Sequence, residues 1–400
     1  MTRTVSKTQR QPTWFLLLFA LAAAGGAVAY VPLLTVLLPV KITALQGVED
    51  VSALARVTFF GAIIASLANI AFGMLSDRSR NRIPWIVAGL ISSSVLLIAI
   101  GYARSMTELI ILVMTWQIGL NMMLGPLLSW AGDCFPDAQK GMLGGALSLA
   151  PALGAIAGSL VTLELLIDEQ YRLWMVAALV CVLVSPAIIF GRHQTRPPLL
   201  LPRNDARDDD TLIDHGQSTV IRMWAARFLV QIAEAGLFAF LLFWLRSVAE
   251  DVHENSAANI FSMVLIVSVP LSLILGRWSD RNDRPILPLA LCAMFTAAGL
   301  AVMAIAENLT IAISGYVLFG IAASIFLSLH TGQTLRVLPK PQHRGRDMGI
   351  FNLTNTVPSI IMPWLTISLV PAFGFTALFA LFAGFAAMAA LLLATIAVRR

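Results

Sequence analysis

Glu234 sits near the middle of an apolar run, with Gln231 three residues before it and Arg227 seven before. Those intervals place all three along one helical face. An ionisable group at a membrane-helix centre costs about 2.5–3.5 kcal/mol on insertion scales, so it marks a functional site by default. Apolar walls disfavour the charged form of a carboxyl. Proton exchange near neutral pH is then open to Glu234, and protonation removes the cost of carrying it through a dry intermediate. The expected role is a coupling or substrate-binding carboxylate tuned by Arg227 or Gln231. The competing reading is a neutralised structural bond to another helix.

Further polar groups interrupt other apolar runs. Trp116, Gln117 and Asn121 share one of them, and Gln117 and Asn121, four residues apart, share a face. Asn69, Tyr30, Asn352 and Asn355 lie in three more. An amide both donates and accepts, and an aromatic ring packs against the apolar face of a sugar. As a set these residues read as a polar, weakly charged cavity for a hydroxylated ligand. Taken singly, each reads equally as an interhelical hydrogen bond, worth about 0.6 kcal/mol. His330 reads as a polar helix end, and Glu164 and Arg56 as snorkelling groups or an outer gate. The five histidines show no metal-ligand spacing, and no nucleotide loop, H-E-x-x-H or G-x-S-x-G element appears. Neither a metal, a cofactor nor enzymatic catalysis is expected.

Membrane helices must position these groups. Of 400 residues, 58% are hydrophobic and 12% charged, where soluble domains are about a quarter charged. A spanning helix needs about 20 apolar residues, and lipid requires a backbone satisfied internally. Twelve runs qualify: 14–40, 51–75, 84–102, 108–130, 141–166, 172–191, 222–247, 256–276, 286–305, 309–332, 347–369 and 373–397. Arg3, Lys7, Arg10 and then Ala27-Val28-Ala29 imitate a cleavable signal, but the apolar run goes on to Val40, so it reads as an uncleaved first span. With the N-terminus cytoplasmic, 21 of the 27 Lys and Arg lie on the cytoplasmic side. Both termini are therefore expected in the cytoplasm of a bacterial-type inner membrane. The net charge of +5 then reports topology, with lipid and not nucleic acid as the surroundings. Cys134, Cys181 and Cys292 offer no disulfide framework.

The stretch 192–221 holds Pro197-Pro198, Pro202 and Asp208-Asp209-Asp210. It reads as a flexible cytoplasmic linker between a bundle at 1–191 and another at 222–400. The halves repeat. Gly73-Met74-Leu75-Ser76-Asp77-Arg78 and Gly276-Arg277-Trp278-Ser279-Asp280-Arg281 are both G-x-x-S-D-R, 203 residues apart. Pro136 with Lys140-Gly141 returns as Pro339 with Arg344-Gly345. Gly73 and Gly276 permit close helix approach. Asp77 and Asp280 can accept hydrogen bonds at the N-terminus of the next helix, or pair with basic groups across the interface. Arg78 and Arg281 add charge-assisted bonds. These six are the candidate gating residues.

On its 6+6 spans, central loop and duplicated signature, the chain resembles the major facilitator superfamily. The resemblance implies an all-α membrane fold of twelve helices in two pseudo-symmetric six-helix bundles, with alternating access to a central cavity. Ser76–Ile86, Gly349–Pro358 and Pro136–Gly158 are similar to the sucrose-type glycoside:proton symporters and their bacterial relatives. That likeness implies a secondary transporter of a small polar solute, a sugar or glycoside, with protons as the coupling ion; a monomer is expected. Ala146-x-x-x-Ala150-Pro151-x-x-Gly154 approximates a motif of proton-driven drug antiporters, and the same small residues suit close packing. Efflux of drugs or metabolites is the alternative, and a membrane sensor or scaffold on this fold is a third class.

Overall fold

The computed structural model describes residues 10–46, 51–161, 168–191, 217–249, 254–338 and 343–397. Most of the expected linker, Glu164, and Pro339 to Gln342 of the second repeated loop lie outside the described residues. Helix α1 runs Thr13–Gln46 without a break at Ala27-Val28-Ala29, and a π-helical turn, Leu33–Leu37, follows Pro32. The first half continues with α2 (Val51–Ser79), α3 (Ile83–Gly101) and α4 (Met106–Cys134). It ends with α5 (Lys140–Leu147, then Leu149–Val161) and α6 (Arg172–Gly191). The second half has α7 (Gln217–Val248), α8 (Glu254–Arg281), α9 (Leu287–Ala304) and α10 (Leu309–Val337). Helix α11 starts as Arg344–Phe351 and enters the helix Leu353–Ala397, which Gly374 divides; α12 is the part after Gly374. Gly374 has φ 71° and ψ 178°, a region that residues with a Cβ avoid, so the chain reverses there.

Ten of these helices are long and apolar enough to cross a membrane by themselves. The other two expected spans, 222–247 and 347–369, are helical as well. Several helices outrun their apolar stretch. Helices α2 and α8, for instance, carry on through the G-x-x-S-D-R signatures, so their polar ends project beyond the hydrocarbon.

Backbone landmarks repeat at the sequence interval. Arg80 and Asp283, 203 residues apart, both take positive φ, 52° and 49°. Ser105 caps α4 by accepting from the Glu108 N–H, and Asn308 caps α10 by accepting from the Ile311 N–H. Helix α5 breaks at Ser148, where Pro151 leaves the Leu147 carbonyl without its i+4 donor. Helix α11 breaks at the corresponding Asn352. Each half encloses an apolar core, around Phe19, Leu120 and Trp130 in one and Val230, Leu300 and Phe382 in the other. Met348 and Phe351 of α11 join the first-half core. Packing between the halves concentrates on the two short segments Lys140–Leu147 and Arg344–Phe351.

Small residues make that packing possible. A Cβ at Gly145 would fall 2.5 Å from the Ser272 carbonyl oxygen, and one at Gly154 3.0 Å from Val31 Cγ2. Of the small-residue stripe of α5, Gly154 is thus packed against α1, while Pro151 is exposed.

Candidate functional site

Two reciprocal latches close the face that carries the signature loops. Asp77 accepts from the backbone N–H of Gly345 (2.9 Å) and Arg346 (2.9 Å). Asp280 accepts from Gly141 (2.9 Å) and Met142 (2.7 Å). The first N–H groups of a helix lack intrahelical partners and carry its positive end, so a carboxylate binds there well. The capped helices are α11 and α5, each in the opposite half, and not the next helix in the chain. Glycines bring the backbones together. A Cβ at Gly73 would lie 2.2 Å from the Gly345 oxygen, and one at Gly276 2.2 Å from the Gly141 oxygen. Overpacking of this kind costs about 1–3 kcal/mol. Gly276→Ala is therefore expected to shift the protein away from this closed form. Spin labels placed across the α5–α8 seam should report a larger population at long distance, and an unchanged distribution would show that the contact does not govern closure.

The first latch is reinforced by buried charge. Arg82 contacts Asp77 (2.5 Å), Asp133 (3.0 Å) and the Ser76 hydroxyl (2.7 Å). Arg344 reaches the other oxygen of Asp133 at 2.8 Å, from the opposite half. Burial works against the charge of Arg82, but Asp133 and Asp77 outweigh it and raise its pKa above the ordinary guanidinium value. The second latch has no such cluster among the described residues. Arg336 stands 203 residues after Asp133, with the opposite charge, and pairs with Asp283. Lys140, the counterpart of Arg344, reaches Asp137 (2.6 Å) and the Leu335 carbonyl (2.8 Å). The charge-assisted bonds expected of Arg78 and Arg281 are instead made by Arg82 and Arg344. Arg78 and Arg281 are exposed and form none among the described residues.

Deeper in the molecule, Gln231 donates to Glu234 at 2.6 Å, and both side chains are half-buried. No cation lies within ion-pair distance of Glu234 among the described residues. Arg227 is buried and turns to α11 and α10, donating to Asn355 (3.0 and 3.2 Å) and the Leu327 carbonyl (2.7 Å). Its guanidinium lies 4.8 Å over the Phe351 ring. Asn355 in turn donates to Asn352 at 3.0 Å. Tyr30 of α1 and Tyr316 of α10 are close enough to interact electrostatically with Glu234. Ser66 and Thr356 join the halves by a 2.8 Å hydroxyl bond.

Other expected residues fall elsewhere. Trp116 is fully buried in the first-half core, not on a cavity wall. Neighbours on a helix point about 100° apart, so Trp116 and Gln117 cannot share a face. Asn69 donates to Asn121 at 2.9 Å, and Asn121 donates to the Gln117 carbonyl at 2.9 Å. All three are at least nine-tenths buried, and they tie α2 to α4. His330 is not a polar helix end. It is fully buried, bonded to the Met223 carbonyl (2.9 Å) and Thr334 (3.1 Å), and stacked on Phe351. Asp133, Tyr316 and the Ser66–Thr356 pair escaped the sequence reading, and Arg344 entered it only as part of the repeated loop. An acid at the end of the apolar stretch Met122–Gly132 was the available signal for Asp133.

The Major Facilitator Superfamily family model matches residues 223–400. An uncharacterized MFS-type transporter of Mycobacterium tuberculosis, present in two strains, is 26% identical over 387 residues, covering 90% of this chain and 81% of the relative. Among solved structures, an outward-facing bacterial homologue of the iron transporter ferroportin matches 97% of the chain and 99% of its own length, with TM-score 0.75 and 14% identity. The human organic anion transporter MFSD10 matches 96% and 100%, with TM-score 0.73 and 16% identity. The proton:xylose symporter XylE, bound to 6-bromo-6-deoxy-D-glucose, matches 96% of each chain, with TM-score 0.70 and 13% identity. The second half of the chain thus matches the superfamily's model, and over nearly its whole length the chain shares the fold of these transporters.

Proposed function

We propose that the protein moves a small polar organic solute, a sugar or glycoside, by proton symport across a bacterial-type cytoplasmic membrane, with both termini in the cytoplasm. The observation that carries this reading is Glu234. It is a half-buried carboxylate held by a neutral amide, without an ion-pair partner among the described residues, and it lies near Tyr30 of the other half. Arg227 acts on it electrostatically without bonding to it, and what remains of its burial cost is relieved by a proton or by a polar ligand. Since Asn69, Asn121 and Gln117 bond one another, solute hydroxyls fall to Tyr30, Gln231, Asn352 and Asn355, all at least partly accessible. The fold is shared with a proton:xylose symporter as with transporters of other cargoes, so the sugar rests on these amide and hydroxyl groups.

The latched face is the cytoplasmic one on this reading, so the passage is open to the outside or occluded. Proton-driven efflux of drugs or metabolites is the second reading. Tyr30 and Tyr316, which both feel the charge of Glu234, suit an amphipathic cation as well. Purified protein in proteoliposomes separates them. Adding sugars outside, without an imposed gradient, should alkalinise the external medium as solute and protons enter together. Silence across a panel of monosaccharides and disaccharides, with proton movement driven by organic cations, would replace symport by efflux.

A further inference from the structure

A cavity of about 380 Å3 opens beside the Asp280 latch. Its walls come from both halves: Arg10, Gln11, Pro12 and Thr13 at the start of α1, Ala138, Gln139 and Met142 around the start of α5, and Arg277, Asp280 and Arg281 of α8. The first wall is held in place. The Gln11 backbone N–H donates to Gln139 Oε1 (2.7 Å), the Gln11 amide donates to the Cys134 carbonyl (3.0 Å), and the Gln139 amide donates back to the Gln11 carbonyl (2.9 Å). Gln11 and Gln139 are both buried. These three bonds fix the approach to α1, so Arg10 faces the two arginines of α8 across the cavity.

Arg10, Arg277 and Arg281 are exposed, and none is in an ion pair or hydrogen bond among the described residues. Asp280 is the opposing charge, and both its oxygens already accept backbone N–H groups. Three planar guanidiniums facing one space suit a tetrahedral oxyanion, which each can grip with paired N–H donors. Trp14 and Trp278, next in sequence to the lining residues Thr13 and Arg277, are 47% and 39% exposed. Exposed tryptophans mark the headgroup level of a bilayer.

We propose that this cavity binds a phosphate-bearing anion, such as the headgroup of an anionic phospholipid, and that the bound anion stabilises the closed form of this face. The physical reason is that Arg10 belongs to one half and Arg277 and Arg281 to the other. Separating the halves dismantles the site, and a ligand that binds one of two states shifts the equilibrium towards it.

The test uses the full-length protein in nanodiscs at fixed ionic strength. Phosphatidylglycerol mixed into phosphatidylcholine should raise the melting temperature above that in phosphatidylcholine alone. It should also narrow the spin-label distance across the α5–α8 seam. The double variant Arg10→Gln/Arg277→Gln should weaken that response about tenfold in lipid concentration. Arg222→Gln, which removes a different arginine bonded to Thr395, should respond as the unaltered protein does. Inorganic phosphate added to phosphatidylcholine discs identifies the source. If it reproduces the effect, the site takes a free oxyanion; if only phosphatidylglycerol works, it takes a headgroup. Either result supports the site. Equal behaviour in both lipids without any phosphate effect, an undiminished response in the double variant, or an equal loss in Arg222→Gln would overturn it. No readout here involves solute flux, so failure would leave the transport reading standing.

Discussion

Glu234→Gln is expected to abolish concentrative uptake while sparing solute exchange. With one proton per solute, a pH difference of about one unit supports about tenfold accumulation, since 1.4 kcal/mol corresponds to a factor of ten. The amide has the shape of the protonated carboxyl but cannot release a proton. Accumulation in the variant should therefore fall to the equilibrium ratio of one-to-one, while counterflow of labelled against unlabelled solute continues. Arg227 keeps its partners in the variant, because it is bonded to Asn355 and Leu327 and not to Glu234, and Gln231 can donate to the new amide oxygen in place of the carboxylate. Folding can be checked by thermal stability in detergent. Gradient-driven accumulation at the original level in a well-folded Glu234→Gln protein would remove Glu234 from coupling.

The second large effect belongs to Asp133. This carboxylate has no exposed surface and is shared by Arg82 and Arg344 at 3.0 and 2.8 Å. Asp133→Ala leaves two guanidiniums with 4% and 6% side-chain exposure lacking their common anion. Removing one partner of a buried pair costs about 3–5 kcal/mol. The closed face should lose most of its advantage, with a marked fall in melting temperature and longer distances across the α2–α11 seam. Adding Arg344→Gln should restore part of the loss, because it removes one of the stranded charges; a double-mutant cycle measures that coupling. A variant melting within about a degree of the unaltered protein would mean that the cluster contributes little.

The fold was legible because its two causes are local. Apolar length marks each helix, and the duplicated G-x-x-S-D-R fixes the relation between halves. Asp77 and Asp280 were legible as helix-end acceptors for the same reason. Their actual partners were not, since Asp77 and Gly345 are 268 residues apart and no local pattern connects them. Gln117 was separable from Trp116 by helical phase, but which of the two faces the core depends on the packing of α4 against its neighbours. Asp133 drew no reading and Arg344 entered only through the repeated loop, because their burial against one another, which sets them apart from Arg78, has no local pattern. The pairing of Glu234 with Gln231 followed from their three-residue interval. The turn of Arg227 towards Asn355 did not, because it depends on where α11 breaks.

The π-helical turn at Leu33–Leu37 has a consequence for how α1 is numbered around its axis. Such a turn holds one more residue than an ordinary helical turn. Positions from Leu38 onward are therefore rotated relative to a wheel drawn from Thr13. Lys41 reaches the Gly101 carbonyl at 2.6 Å from this rotated segment. An alignment that slides by one position between Pro32 and Leu38 would describe the same helix with its bulge ironed out, and it would carry every outer side chain to a new azimuth.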